Sequence, residues 1–268
     1  MGYDVTVVDP GPDGTLDIDR MLDHVDKNTI LVACMMVNNE VGTRNDVERL
    51  AAEVKRRNSR TIVHVDAVQA WMRVPIKLAN IDTLAVSGHK IHGPKGVGAL
   101  FIKDRVKVKP VIYGGGQQGG MRSGTENVPG IAGMALAAEM TYRDLDANVA
   151  HMRELKEHLI DELTQIDDVY SNSGDAPHIV SITFKGVRSE VMLHALEEKG
   201  IYVSSGSACS SNKHSTSSTL KAIGLPPEKL ESTLRFSFSP ENTMEQIDYA
   251  VECCKELLPI LRRYVRKK

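Results

Sequence analysis

Short apolar runs rich in β-branched residues alternate with amphipathic stretches of helical period, and no other feature limits the fold of this chain as strongly. Residues 29–37 read as a buried strand, Val47–Arg57 as an amphipathic helix, and residues 61–65 as a second buried strand. Residues 83–86 and 97–102 are further strands flanking a loop. Strand–helix alternation of this kind requires a mainly parallel sheet covered by helices, an α/β arrangement. A loop follows at residues 114–120, where five of the residues are glycine (Gly114, Gly115, Gly116, Gly119 and Gly120), and residues 127–164 then carry one long helical pattern. Beyond it the texture changes. Strand patterns fall at 179–184, 201–204 and 234–238, helical ones at 189–199 and from about Met244, with a serine-rich loop at 204–213. This predicts a large domain over residues 1–143 and a smaller α+β domain over 144–268. Residues 5–8 are strand-like with no preceding unit to pair against, so the sequence reads as one that begins inside a domain.

Composition narrows the class. The chain has 268 residues, 41% hydrophobic and 25% charged, with a net charge of −2, as expected of a globular protein in water. Basic and acidic residues are mixed, and no basic stripe suggests direct nucleic-acid binding; the Arg-rich C-terminus reads as a solvated helix end. No apolar run reaches the ~18–20 residues of a membrane span, and the first residues lack the pattern of a secretory signal. The cysteines are at 34, 209, 253 and 254, a spacing that suggests neither a disulfide framework nor a zinc site. A reducing, cytoplasmic location and no bound metal are the expectations.

Four stretches could carry chemistry. Ser87-Gly88-His89-Lys90 follows a strand and precedes a glycine-rich run. A lysine that bonds covalently to a carbonyl must be held at a fixed point and partly desolvated, which a strand-end loop can achieve. Alone, the string more often marks a solvated loop lysine. His64-Val65-Asp66-Ala67-Val68-Gln69 ends the preceding strand with a carboxylate, at the edge where parallel sheets bind ligands. An aspartate there can pair with a protonated ring nitrogen, or it can cap a helix starting near Ala67. Asn38-Asn39-Glu40 ends the strand before that, which by itself is a turn signal. Ser204–Asn212 sets Cys209 among small and hydroxylated neighbours, which suits an accessible thiolate or an incidental surface cysteine. Cys34, by contrast, sits in an apolar run, and Cys253 and Cys254 in the last helix, where a structural role is expected. Finally, Leu234-Arg235-Phe236-Ser237 places an arginine within a strand, suited to an α-carboxylate or to a structural ion pair.

With these residues in place, the sequence resembles the cysteine desulfurases of the type I class, fold-type-I pyridoxal-phosphate enzymes within the class-V aminotransferase family. The resemblance runs along all 268 residues and is most specific at 37–42, 64–69, 87–98, 121–125, 204–210 and 234–237. It implies that Lys90 carries pyridoxal 5'-phosphate covalently and that Asp66 pairs with the ring nitrogen. Gln69 and Asn39 would hydrogen-bond around ring and substrate, Ser87 and His89 would bind the phosphate, and His89 would also serve catalysis. Thr125 resembles the residue that reaches the phosphate of the partner subunit in a homodimer. Arg235 would hold the substrate carboxylate, and Cys209 would take sulfur from L-cysteine, leaving L-alanine.

The sulfur would pass on to an acceptor protein, an iron–sulfur scaffold or a tRNA-thiolation enzyme. Full-length members carry a preceding segment with an Ala-Thr phosphate-binding turn and a ring-stacking histidine, neither of which matches anything here. The expectation is therefore weak cofactor binding by this chain alone. Two alternatives stand beside the desulfurase: another aminotransferase or carbon–sulfur lyase using the same cofactor, and an inactive desulfurase fragment.

Overall fold

The computed structural model describes residues 2–205 and 217–264. In chain order the first elements are α1 (Ile18–Asp23), β1 (Leu31–Met35), α2 (Val47–Arg57), β2 (Ile62–Asp66), β3 (Thr83–Ser87) and β4 (Gly98–Ile102). Next come α3 (Val128–Arg143), α4 (Leu145–Thr164), β5 (Val169–Ser171), β6 (Ile179–Phe184) and α5 (Ser189–Glu198). The chain ends with α6 (Ser218–Ala222), α7 (Pro227–Leu230), β7 (Thr233–Ser237) and α8 (Met244–Arg263). Two compact units result. One contains Leu22–Met36 and Asp46–Leu145; the other contains Met1–Met21, Val37–Asn45 and Asp146–Lys268.

The first unit is built on a four-stranded sheet of order β1-β2-β3-β4. β1, β2 and β3 run parallel, with Met35 opposite Asp66 and Asp66 opposite Ala85, while β4 returns antiparallel to β3. This is the mainly parallel α/β sheet that the alternation of runs requires. Helix α2 shows why the sequence folds this way locally. Asp46 caps its first turn by accepting from Arg49 N at 3.0 Å, and Val47, Leu50, Ala51 and Val54 share the buried face.

The second unit has an antiparallel sheet of order β5-β6-β7. Every residue of β6 is buried. Met152, Leu155, Leu159 and Leu163 recur at helical spacing along α4 and pack in one core with Ile247, Val251, Cys254 and Leu258 of α8. Thr243 and Gln246 form a reciprocal capping box at the start of α8.

Three local expectations are corrected. The pattern over 127–164 is two helices, because Asp144 leaves helical geometry at φ −118° and ψ 28°. Residues 201–204 form no strand and contribute a single bridge, Ser204 to Arg235. Residues 5–8 join no strand, and Val5 and Val7 are both exposed. No helix of the described residues is long and apolar enough to cross a membrane.

Candidate functional site

Asp66 and Lys90 belong to the same unit: Asp66 ends β2, and Lys90 lies in the turn that follows β3, the neighbouring parallel strand. Asp66 is the last residue of β2. Its carboxylate accepts from Val68 N at 2.9 Å, and Ala67 N reaches across to Ala85 O at 2.9 Å, so the chain turns immediately after the carboxylate. The residues that follow form no regular helix. They form successive hydrogen-bonded turns, with Trp71 N to Ala67 O at 2.8 Å and Val74 N to Ala70 O at 3.0 Å. No helix starts there for Asp66 to cap; its carboxylate instead closes a local turn, which occupies one carboxylate oxygen. Gln69 lies half-buried within the same turns.

Lys90 sits in a 3₁₀ turn, Gly88–Ile91, that continues β3. Ser87 is half-buried and His89 exposed, and the Ser87 hydroxyl and His89 Nδ1 are 2.7 Å apart. The turn is closed by His92 in left-handed geometry, φ 65°, whose N–H reaches Gly88 O. Ile91 is buried beneath it. Small residues suit both positions: a Cβ at 88 would press on Met134 Cγ of α3 at 3.1 Å, and one at 93 would meet the turn's own Gly88 O at 2.9 Å. Desolvation first, then the charges of Lys90 and Lys95, hold the His89 imidazole below its ordinary value, so it is neutral at pH 7. Thr125 is exposed in the loop before α3.

Cys34 lies on β1, across the sheet from Val65. Burial, and then the Asp66 charge, push its thiol up to about 12, which leaves it protonated and inert. The buried Cys254 thiol is also pushed up to about 12, first by burial and then by Cys253. Neither thiol is activated. The sequence reading of Cys209 falls outside the described residues.

Asn39 and Arg235 belong to the other unit, and there they meet. Arg235 Nη1 donates to Asn39 O at 2.9 Å, and the Arg235 backbone pairs with Ser204 through bonds of 3.0 and 2.7 Å. One residue beyond Asn39, the buried Glu40 accepts a 2.5 Å hydrogen bond from the Ser217 hydroxyl, which also caps α6. Sequence reasoning passed over Glu40, Ser217 and Arg73. Burial alone marks the charged Glu40 and Arg73, and the hydrogen bond to Glu40 alone marks Ser217; these are tertiary properties without a local pattern.

The donor set of the first unit fits pyridoxal phosphate. A carboxylate ends one strand and a primary amine follows the next, and a hydroxyl–imidazole pair lies immediately before that amine in the chain. Among the described residues no group of His, Cys, Asp and Glu could hold a metal ion.

Comparison with known proteins points the same way. Residues 1–250 match the family model "Aminotransferase class-V". A protein named "Cysteine desulfurase" from Nostoc sp. is 40% identical over 97% of this chain and 66% of its own length. A solved structure described as "NIFS-LIKE PROTEIN" superposes with a TM-score of 0.89 at 35% identity, over 97% of this chain and 69% of that one. Another, "SspA in complex with cysteine", gives 0.73 at 30% identity, over 90% and 68%. The chain therefore spans about two thirds of the length of the relatives it matches.

Proposed function

Because this chain belongs to the class-V aminotransferase family, we propose that it is the core of a pyridoxal-phosphate-dependent cysteine desulfurase. The reaction is L-cysteine plus an enzyme thiol giving L-alanine plus an enzyme persulfide, a sulfurtransferase step in which Cys209 is the acceptor. The observation that carries this reading is that Asp66 ends β2 and Lys90 lies in the turn directly after β3, its parallel neighbour in the sheet. The Nostoc relative bears the name of this activity, and the SspA structure holds the amino acid that would be the substrate.

The cofactor, when bound, supplies an electron sink that stabilises negative charge on the substrate. Asp66 keeps the ring nitrogen protonated by its own negative charge, while its other oxygen remains tied to Val68 N. Lys90 attaches the cofactor through Nζ and moves protons at that atom during turnover. Ser87 and the neutral His89 supply hydrogen bonds to the phosphate, with His89 also placed to exchange a proton. Gln69 bonds a ring substituent, and Thr125 reaches the phosphate of the partner subunit in a homodimer. Arg235, oriented by the Asn39 carbonyl, holds the substrate α-carboxylate with its planar fork. The persulfide then passes to a sulfur-acceptor protein, an iron–sulfur scaffold or a tRNA-thiolation enzyme, in the cytoplasm.

The match to class-V aminotransferases as a whole favours one second reading, an aminotransferase or carbon–sulfur lyase in which Cys209 is dispensable. The deciding experiment incubates the protein with L-cysteine and pyridoxal phosphate and measures alanine and protein persulfide. Lys90→Ala should abolish both, along with the visible band that borohydride bleaches. Cys209→Ser should abolish the persulfide. Sulfur mobilisation by Cys209→Ser at the unaltered rate would overturn the desulfurase reading and leave the lyase.

A further inference from the structure

Arg73 is buried at 6% exposure, and no carboxylate among the described residues pairs with it. Its guanidinium spends two donors on main-chain carbonyls: Nη1 on Met72 O at 2.9 Å and Nη2 on Lys90 O at 3.1 Å. Nε is buried with no hydrogen-bond partner among the described residues. Burial lowers the pKa of the group, yet an arginine stays charged under any condition in which the fold survives. A buried, uncompensated cation with an idle donor is a costly arrangement, and such exceptions call for a specific reason.

The two carbonyls supply the reason. Met72 lies within the run of turns that follows Asp66, in left-handed geometry with φ 58°, rare for a residue with a side chain. Lys90 is the amine-bearing residue of the next strand end. The planar fork of Arg73 therefore bridges the two segments that carry the carboxylate and the amine, in a way a lysine's single ammonium cannot reproduce.

We propose that Arg73 is a positioning residue for the cofactor site. It fixes the Lys90 turn against the Asp66 turn and so sets the direction in which the lysine amine is presented. The inference rests on the assignment of Lys90 as the cofactor lysine, and it concerns only residues of this chain.

The test uses pyridoxal phosphate as an aldehyde probe, with borohydride trapping and peptide mapping to count label at Lys90 against the other lysines. Arg73→Met fills similar volume without the fork, and Arg73→Lys keeps the charge with one donor site. Thermal unfolding and amide exchange of residues 87–93, with β6 as internal control, are measured on each. Arg73→Met should lose tenfold or more of the selective labelling at Lys90, and Arg73→Lys should fall between it and the parent. Exchange over 87–93 should rise at least tenfold while β6 is unchanged. If Arg73→Met does not fold, Arg73→Lys alone decides by the same two readouts.

Parent-like labelling and exchange in a folded variant overturn the proposal, because a merely space-filling arginine predicts that outcome. Absence of preferential Lys90 labelling in the parent protein overturns the cofactor assignment instead. In that case the exchange result by itself supports or overturns the tie between the two turns.

Discussion

Lys156 offers the sharpest physical test of how the second unit is held together. It projects from α4 and is buried at 6% exposure, with Nζ donating to Gly174 O and, at 2.8 Å, to Ala176 O. That turn in turn grips the loop carrying Asn39 and Glu40, through Gly174 N to Val41 O at 2.7 Å and Ala176 N to Gly42 O at 2.9 Å. Desolvation is the dominant cause that brings the ammonium down from 10.5 to about 8, against an opposing pull from the Asp175 carboxylate. A lysine depressed in the folded state binds fewer protons there than in the unfolded chain between those two values. Stability from this group is therefore complete above the unfolded value and is lost as pH falls through about 8. At about 1.4 kcal/mol per tenfold change in proton affinity the whole displacement would be worth roughly 3 kcal/mol. Water reaching part of the ammonium screens this to about 1–2 kcal/mol. Lys156→Met abolishes that pH dependence and strands two carbonyls, each costing about 1–3 kcal/mol when buried without a donor. Urea unfolding of both proteins at pH 7 and pH 10 should show the variant less stable throughout, with its deficit about 1–2 kcal/mol larger at pH 10. A deficit that stays constant, or shrinks as pH rises, would refute the reasoning, since it would mean that the two carbonyls stabilise the charged amine more than burial penalises it.

The remaining predictions concern charge and packing. Asp66→Asn keeps an acceptor for Val68 N while deleting the charge, so the fold should persist in thermal unfolding. Turnover should nevertheless fall at least a hundredfold, in line with the few kcal/mol that a preorganised charge contributes. Retention of near-parent turnover would show that Asp66 only shapes the turn. Arg235→Lys should raise KM for L-cysteine about tenfold with little change in kcat, because a point charge replaces a two-pronged clamp. An unchanged KM would detach Arg235 from the carboxylate. Leu159→Ala opens a cavity in the α4–α8 core and should cost about 2–5 kcal/mol in chemical denaturation, with no change in ligand labelling at Lys90.

Much of this was legible from period and punctuation. Helix α2 follows directly from apolar spacing plus an aspartate cap, and β2 and β3 fall within a residue of the sequence reading because β-branched runs end in polar residues. The candidate residues Asp66 and Lys90 were legible for the same reason. In a parallel sheet, chemistry collects where an apolar run stops, so Asp66 and Lys90 were visible as strand ends before any packing was known. What escaped was whatever depends on contacts between segments distant in sequence. The break at Asp144 has no proline or glycine to announce it, and residues 201–204 have strand composition but only one bridge to Arg235.

Burial was the least legible property, and the reason is instructive. A continuous apolar run predicts a strand covered on both faces. Yet in β1 only Val32 is fully buried, with Leu31 at 53% exposure, and Leu100 of β4 stands at 51%. Along α3, Val128, Leu136 and Met140 are likewise exposed, and only Gly130 and Met134 are buried, Met134 against the turn that carries Lys90. Periodicity records how much apolar surface a segment brings, not how much of it this chain covers by itself. In α4, α8 and β6 the two quantities coincide, because those elements cover one another within a single unit. The Lys90 turn depends on the thinner of the two packings. A fixed direction for its amine there requires specific tethers, the glycine contacts at 88 and 93 and the Arg73 fork, in place of a deep core.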